Sequence, residues 1–91
     1  MKIKNYRNLE RIAKGFASHR RIQILDLLAQ EPELSLDDIA ETLKINYKTA
    51  GEHVRRLAIA GLVLKRSDSN SVRHKITSRA ESILKFLRTL E

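Results

Sequence analysis

Along this chain the spacing of apolar residues changes from helical to alternating and back again, and each change falls on residues that stop or turn the backbone. From residue 5 to residue 60 the apolar positions recur three and four apart, the spacing of amphipathic helices. That run is cut by the helix-capping residues Ser18, Ser35 and Asn46, and by Pro32, which disfavours helical geometry at Glu31. After Gly61 the period drops to two in "LVLKR" and "VRHKI", which flank the turn formers of "SDSNS". The helical period resumes in "TSRAESILKFLRTLE". The expected fold class is mainly α with a small β-hairpin.

The faces follow from the spacing. In the first helix, 5–17, Tyr6, Leu9, Ile12, Ala13 and Phe16 share one side, Asn5 caps the start and Gly15 loosens the end. The second begins at Ser18 and turns Ile22, Leu25, Leu28 and Ala29 inward with Ile24 and Leu27 beside them. In the third, Ser35 and Asp38 have capping-box spacing, and Leu36, Ile39, Ala40 and Leu43 form the inward stripe. Asp37, Asp38 and Glu41 lie near its start, where the helix dipole favours negative charge. The fourth, 46–60, is capped by Asn46, packs through Ala50, Val54, Leu57 and Ile59, and ends at Gly61. Two short helices this close together make a helix-turn-helix. In the hairpin, 62–76, His74 alternates with Val72 and Ile76 and reads as a half-buried packing residue. The last helix, 77–91, opens with a Ser78/Glu81 capping box and carries Ala80, Ile83, Leu84, Leu87 and Leu90 on one side, with Phe86 off it.

A chain of 91 residues is expected to form one domain. The absence of cysteine excludes disulfides, thiolate nucleophiles and cysteine metal sites within it. His19, His53 and His74 fall on three different elements with no carboxylates clustered near them in sequence, so no metal site is expected. No phosphate loop, HExxH or GxSxG occurs, and helix starts account for the acids; neither catalysis nor a cofactor is expected. No segment resembles a signal peptide or a membrane span, which places the expected site of action in the cytoplasm.

The net charge of +7 is unevenly placed. Residues 1–30 hold seven Lys/Arg against two acids and residues 44–75 eight against two, whereas 31–43 hold five acids. The acidic block is expected to face away from whatever the basic blocks bind, and a basic domain of this kind fits a polyanion, nucleic acid above all. If Ala50, Val54 and Leu57 pack inward, then Lys48, Gly51, Glu52 and Arg55, at i, i+3, i+4 and i+7, turn outward. Gly51 would let the helix approach a duplex closely. Arg55 fits a guanine edge or a phosphate, while Glu52 fits either a cytosine amino group or, as the stronger reading, an intrahelical pair with Arg55 or Arg56. Lys65, Arg66, Arg73 and Lys75 bracket the hairpin tip and suit phosphate contacts. Arg20 and Arg21 suit backbone contacts or plain solvation equally.

The stretches "RRIQILDLL", "LSLDDIAETL" and "NYKTAGEHVRRLAIAGLV", in this order and spacing, resemble the ArsR-type and related MarR-type transcription regulators over residues 16–77. The resemblance implies a winged helix-turn-helix with a three-helix core, a two-stranded wing and extra N- and C-terminal helices. It implies a homodimer that binds double-stranded DNA, with helix 46–60 in the major groove and wing 62–76 on backbone or minor groove. Carried over by position, Asn46, Tyr47, Lys48, Thr49, Gly51, Glu52 and Arg55 face DNA, and His53 and Arg56 flank them as backbone contacts. The sequence departs from the pattern at Glu52, where a basic or polar residue is usual, and in lacking the paired cysteines of metal-sensing members. Helices 5–17 and 77–91 carry more apolar residues than a small core hides. Tyr6, Leu9, Ile12, Phe16, Ile83, Phe86, Leu87 and Leu90 are therefore the candidate dimer contacts. The competing readings are a winged-helix module that binds protein in a larger assembly, a non-specific chromatin-like DNA binder and, third, an RNA binder; of the four aromatic residues only Tyr47 is expected to be an exposed stacking platform.

Overall fold

The computed structural model describes residues 2–91. Its elements are α1 (Tyr6–Phe16), α2 (His19–Gln30), α3 (Leu36–Leu43), α4 (Tyr47–Ile59), β1 (Val63–Ser67), β2 (Val72–Ile76) and α5 (Ser78–Arg88), the predicted winged helix-turn-helix order. Short polar side chains set the helix starts. Asn5, Ser18 and Asn46 each accept hydrogen bonds from amides of the first turn, and Ser35 and Asp38 close a reciprocal capping box. At α5 the cap is Thr77 and not Ser78: its Oγ1 accepts from the Ala80 amide at 3.2 Å and donates to the Gly61 carbonyl at 2.7 Å. The second bond explains the shift, since the Thr77 hydroxyl, and not that of Ser78, bonds the end of α4.

The core gathers Ile24, Leu25 and Leu28 of α2, Ile39 of α3, Val54 and Leu57 of α4, Leu62, Val63, and Ala80 and Leu84 of α5. Each buried side chain of this size contributes roughly 1.5–3 kcal/mol, so α2, with four buried residues, is the central strut. Two residues expected inside are not. Ile59 is 62% exposed, because two helical steps rotate it about 200° from Leu57. Ala29 is exposed at the last turn of α2, past the helices that cover Leu25.

Two helix ends are built in the same way. Leu62 donates its amide to the Leu57 carbonyl at 2.9 Å and Gly61 donates to Ala58 at 3.0 Å, a Schellman end in which Gly61 takes φ 75°. Ile45 likewise donates to Ala40 at 3.0 Å, but here Lys44 takes the left-handed position, φ 57°. This places α4 three residues after α3. Gly15 does not loosen α1: it is buried, and a Cβ built on it overlaps the Cβ of Ala60. α1 crosses α4 where neither chain has room for more.

β1 and β2 pair antiparallel from Val63↔Ile76 to Ser67↔Val72. A further backbone segment joins them. Leu34 bridges His74 on the open side of β2, with the Glu33 amide donating to the His74 carbonyl and the His74 amide to the Leu34 carbonyl, each at 3.0 Å. His74, 3% exposed, is thus fully and not half buried, and its Nδ1 lies 2.8 Å from the Leu34 carbonyl, which as an acceptor assigns the proton to Nδ1. The hairpin is fastened to the turn that precedes the helix-turn-helix.

Candidate nucleic-acid interface

Asn46 stands exposed at the start of α4, yet its Oδ1 accepts from the Lys48 and Thr49 amides at 2.8 and 3.3 Å, so capping occupies its acceptor. Tyr47, Lys48 and Thr49 are exposed in the first turn, and for Lys48 this is the outward direction that its spacing predicted. Gly51 is not on the open side. It is half-buried, and an added Cβ meets Leu36 Cδ2 of α3 at 3.4 Å, an ordinary contact. The position therefore packs the two helices together. Gly51→Ala is expected to raise the unfolding free energy by up to about 1 kcal/mol through helix propensity, measured by urea denaturation.

One turn on, Glu52 is clasped by two arginines. Arg55 donates through Nε to Oε2 at 3.0 Å and through Nη2 to Oε1 at 2.7 Å, and Arg56 donates through Nε to Oε1 at 3.2 Å. The hydrogen bond from Arg55, against a desolvation penalty and with help from both guanidinium charges, holds the carboxyl at about 2. Glu52 is therefore ionised at any pH at which the protein works. The expected intrahelical pair is present.

His53 is half-buried between α4 and the start of α2, and its Nδ1, like Arg21 Nε, is buried without a hydrogen-bond partner. Burial first, then the charges of Arg21, Arg20 and Arg56, push its imidazole below the ordinary 6.5, while Glu52 opposes them. The unfolded chain then takes up a proton near pH 6.5 that the native state refuses until lower pH. This contribution to stability is full above that value and is lost as the pH falls below it. His53→Asn is expected to flatten the decline in urea titrations run between about pH 7.5 and about pH 5.

The register of the hairpin separates its four cations. Arg66 pairs with Arg73 and Leu64 with Lys75, so these side chains share the outer face, whereas Lys65, opposite His74, lies on the other. Like charges face each other at Arg66 and Arg73, and acids offset them: Glu33 pairs with Arg66, its carbonyl accepts from Arg73 Nη1 at 3.3 Å, and Asp68 lies 3.9 Å from Arg73 Nε. The acidic block does not, then, wholly face away, since Glu33 turns into the wing. Among the described residues Lys48, Lys65 and Lys75 enter no ion pair.

The fold brings together residues that are distant in sequence. Tyr47 and Lys65 line one cleft of about 360 Å³ between the hairpin and the starts of α3 and α4. A second, of about 450 Å³, sets Arg11 and Lys14 of α1 beside Arg55, Arg56 and Ile59. The sequence reading did not assign Arg11 and Lys14 to the site. The basic character of residues 1–30 was the available signal, but it carried no partner.

Of the candidate dimer residues, Ile12 belongs to the protomer's own core, and Phe16 and Ile83 pack against that core. Tyr6 (72%), Leu9 (44%), Phe86 (58%) and Leu90 (65%) are left exposed, and Leu87 is half-buried.

Comparisons with known proteins agree with this geometry. The family model described as bacterial regulatory protein, arsR family, matches residues 18–65. A protein of Mycobacterium tuberculosis named HTH-type transcriptional regulator Rv0324 is 38% identical over 66 residues, 72% of this chain but 29% of its own length. The chain thus spans under a third of that relative. Among solved structures, the homodimeric winged helix-turn-helix DNA-binding domain of Mb0332 from Mycobacterium bovis is similar with a TM-score of 0.83 and 28% identity, over 99% of this chain and 89% of that one. HlyU from Vibrio cholerae has a TM-score of 0.83 and 26% identity, over 98% and 97%. With the matched segment running from the cap of α2 into β1 and the whole fold shared, the chain belongs to the ArsR family of bacterial regulatory proteins.

Proposed function

We propose that the chain is a sequence-specific transcription regulator that binds double-stranded DNA as a homodimer, with α4 in the major groove and the hairpin on backbone or minor groove. The observation that carries this reading is the open side of α4. It presents Tyr47, Lys48 and Thr49 at the helix start, where recognition helices meet base edges, and Arg55 and Arg56 beyond. Because capping occupies the Asn46 acceptor and leaves only its amide donors, base contacts fall chiefly to the three residues after it and to the Glu52–Arg55 pair. Lys65 and Lys75 are the cations of the wing best disposed to phosphate, since Arg66 and Arg73 share acidic neighbours. The reading needs neither catalysis nor a metal or cofactor, and places the protein on the nucleoid in the cytoplasm.

The dimer is supported by α1. Of residues 2–11 only Asn8 is even half-buried, so the first two turns of this helix gain little from the rest of the protomer. A helix shorter than about 12–15 residues is marginal by itself, and a second copy would supply the missing contacts to Tyr6 and Leu9, as to Phe86 and Leu90 of α5. The M. bovis domain is described as homodimeric. Pairing of this kind sets two recognition helices about 34 Å apart.

Selection of bound sequences from a random duplex pool, followed by a salt series, tests the reading. The expected result is an inverted repeat with half-sites about one turn apart, and affinity falling with a log-log slope of about −0.9 per phosphate neutralised. Salt-sensitive binding without enrichment would replace it by non-specific DNA binding. Absence of binding at low salt would favour a protein partner.

A further inference from the structure

A carboxylate clasped by two arginines lies on the cationic open side of α4, and stability does not account for it. Exposed ion pairs contribute little to stability, and Glu52, Arg55 and Arg56 are all about half exposed. Against a polyanion the acid is a cost, since it offsets one of the two guanidinium charges and repels phosphate.

The hydrogen bonds leave a particular set of groups unused. Arg55 gives Glu52 its Nε–Nη2 edge, which leaves one N–H of Nη1 and the second of Nη2 pointing along the end of the side chain, with the other N–H of Nη1 turned back toward Cδ. That terminal edge is a pair of parallel donors, the shape that fits guanine O6 and N7. A carboxylate has about four acceptor sites, and Arg55 and Arg56 take three, so one remains. The pair thus offers two parallel donors on Arg55 and, on Glu52 Oε2, one acceptor. The major-groove edge of a G·C pair offers the complement: N7 and O6 accept, and the N4 amino group of cytosine donates.

We infer that Glu52 and Arg55 form one preassembled unit that reads a G·C pair in each half-site, with Arg55 on guanine and Glu52 on the cytosine amino group. Arg56 steadies the carboxylate through Oε1, the oxygen that also accepts from Arg55 Nη2. On other sequences Glu52 meets a thymine O4 or methyl group, or a phosphate, and is left desolvated without a donor. The acid thus weakens binding to the wrong sequence more than it strengthens binding to the right one. The inference rests on the reading of α4 as a DNA-recognition helix, and goes beyond it in naming the base pair and the residues that choose it.

The test is selection from a random duplex pool with the full chain and with Glu52→Gln, then affinities for the selected site, the same site with its G·C changed to A·T, and unrelated duplex. Glu52 is exposed, so the variant is expected to fold, and thermal unfolding checks it. The wild type is expected to enrich a G·C pair at one position of each half-site and to lose on the order of tenfold or more when it is changed. Glu52→Gln is expected to bind unrelated duplex more tightly and to lose most of that discrimination. Arg55→Lys, which keeps the charge but not the paired donors, is expected to lose it too. An unchanged G·C preference in Glu52→Gln overturns the inference while leaving the DNA reading intact. Failure of the wild type to bind any duplex overturns both.

Discussion

Gly15→Ala lowers the unfolding free energy by about 1–3 kcal/mol, the usual cost of forcing extra volume into a close-packed contact. The direction is informative because propensity alone would raise stability by about 1 kcal/mol in a helix interior. The new methyl overlaps the Cβ of Ala60, which is 4% exposed and forms the C-cap of α4. α4 cannot retreat cheaply. The next residue, Gly61, is fixed at φ 75°, and Leu57 and Leu62, bonded through the backbone across this helix end, are both fully buried. The strain must be relieved by lifting α1. Urea denaturation of Gly15→Ala, Ala60→Gly and the double variant would measure the coupling, and a double variant more stable than the sum of the two single changes predicts is the expected sign of shared space. Additivity would mean that the two helices are not in contact.

In the proposed dimer, Phe86→Glu is expected to separate the two copies and to weaken binding to a two-half-site duplex by roughly 10²–10⁴, the loss that follows when two linked contacts become independent. Phe86 is 58% exposed in the protomer, so a charge there costs the single chain little but cannot be buried against a second copy without a partner. Sedimentation would show the change of mass, duplex binding the loss of affinity, and circular dichroism an unchanged fold. A variant that stays dimeric would move the interface away from the exposed side of α5.

The caps of α1 to α4, the stop at Gly61 and the hairpin turn were legible in advance because they depend on short-range chemistry. Ser35 with Asp38, Asn46, Gly61 and "SDSNS" act on neighbours within a few residues, and Ala50, Val54 and Leu57 follow from helical period. The pairing of Glu52 with Arg55 and Arg56 was legible for the same reason. Several readings failed where a distant element intervened. Thr77 caps α5 because the end of α4 needs its hydroxyl, and Glu33 turns toward Arg66 because Leu34 pairs with His74, a residue 40 positions away. Gly15 and Gly51 each read as a local property of its own helix, one as a loose end and the other as a flat approach to DNA. Both are contacts between helices, with Ala60 and Leu36.

The sequence by itself determined which segments are helical, where most of them begin, the order that makes a winged helix-turn-helix, and the open side of its second helix, since periodicity and capping are encoded within a turn or two of the chain. Only the tertiary structure decided how the charges are partnered. It tied Arg66 and Arg73 to Glu33 and Asp68, left Lys48, Lys65 and Lys75 without an ion pair among the described residues, brought Arg11 and Lys14 of α1 beside Arg55 and Arg56, and divided the apolar residues of α1 and α5 between the core and the surface. Contact between elements depends on how helices cross and strands register, and those distances are set by the packed whole.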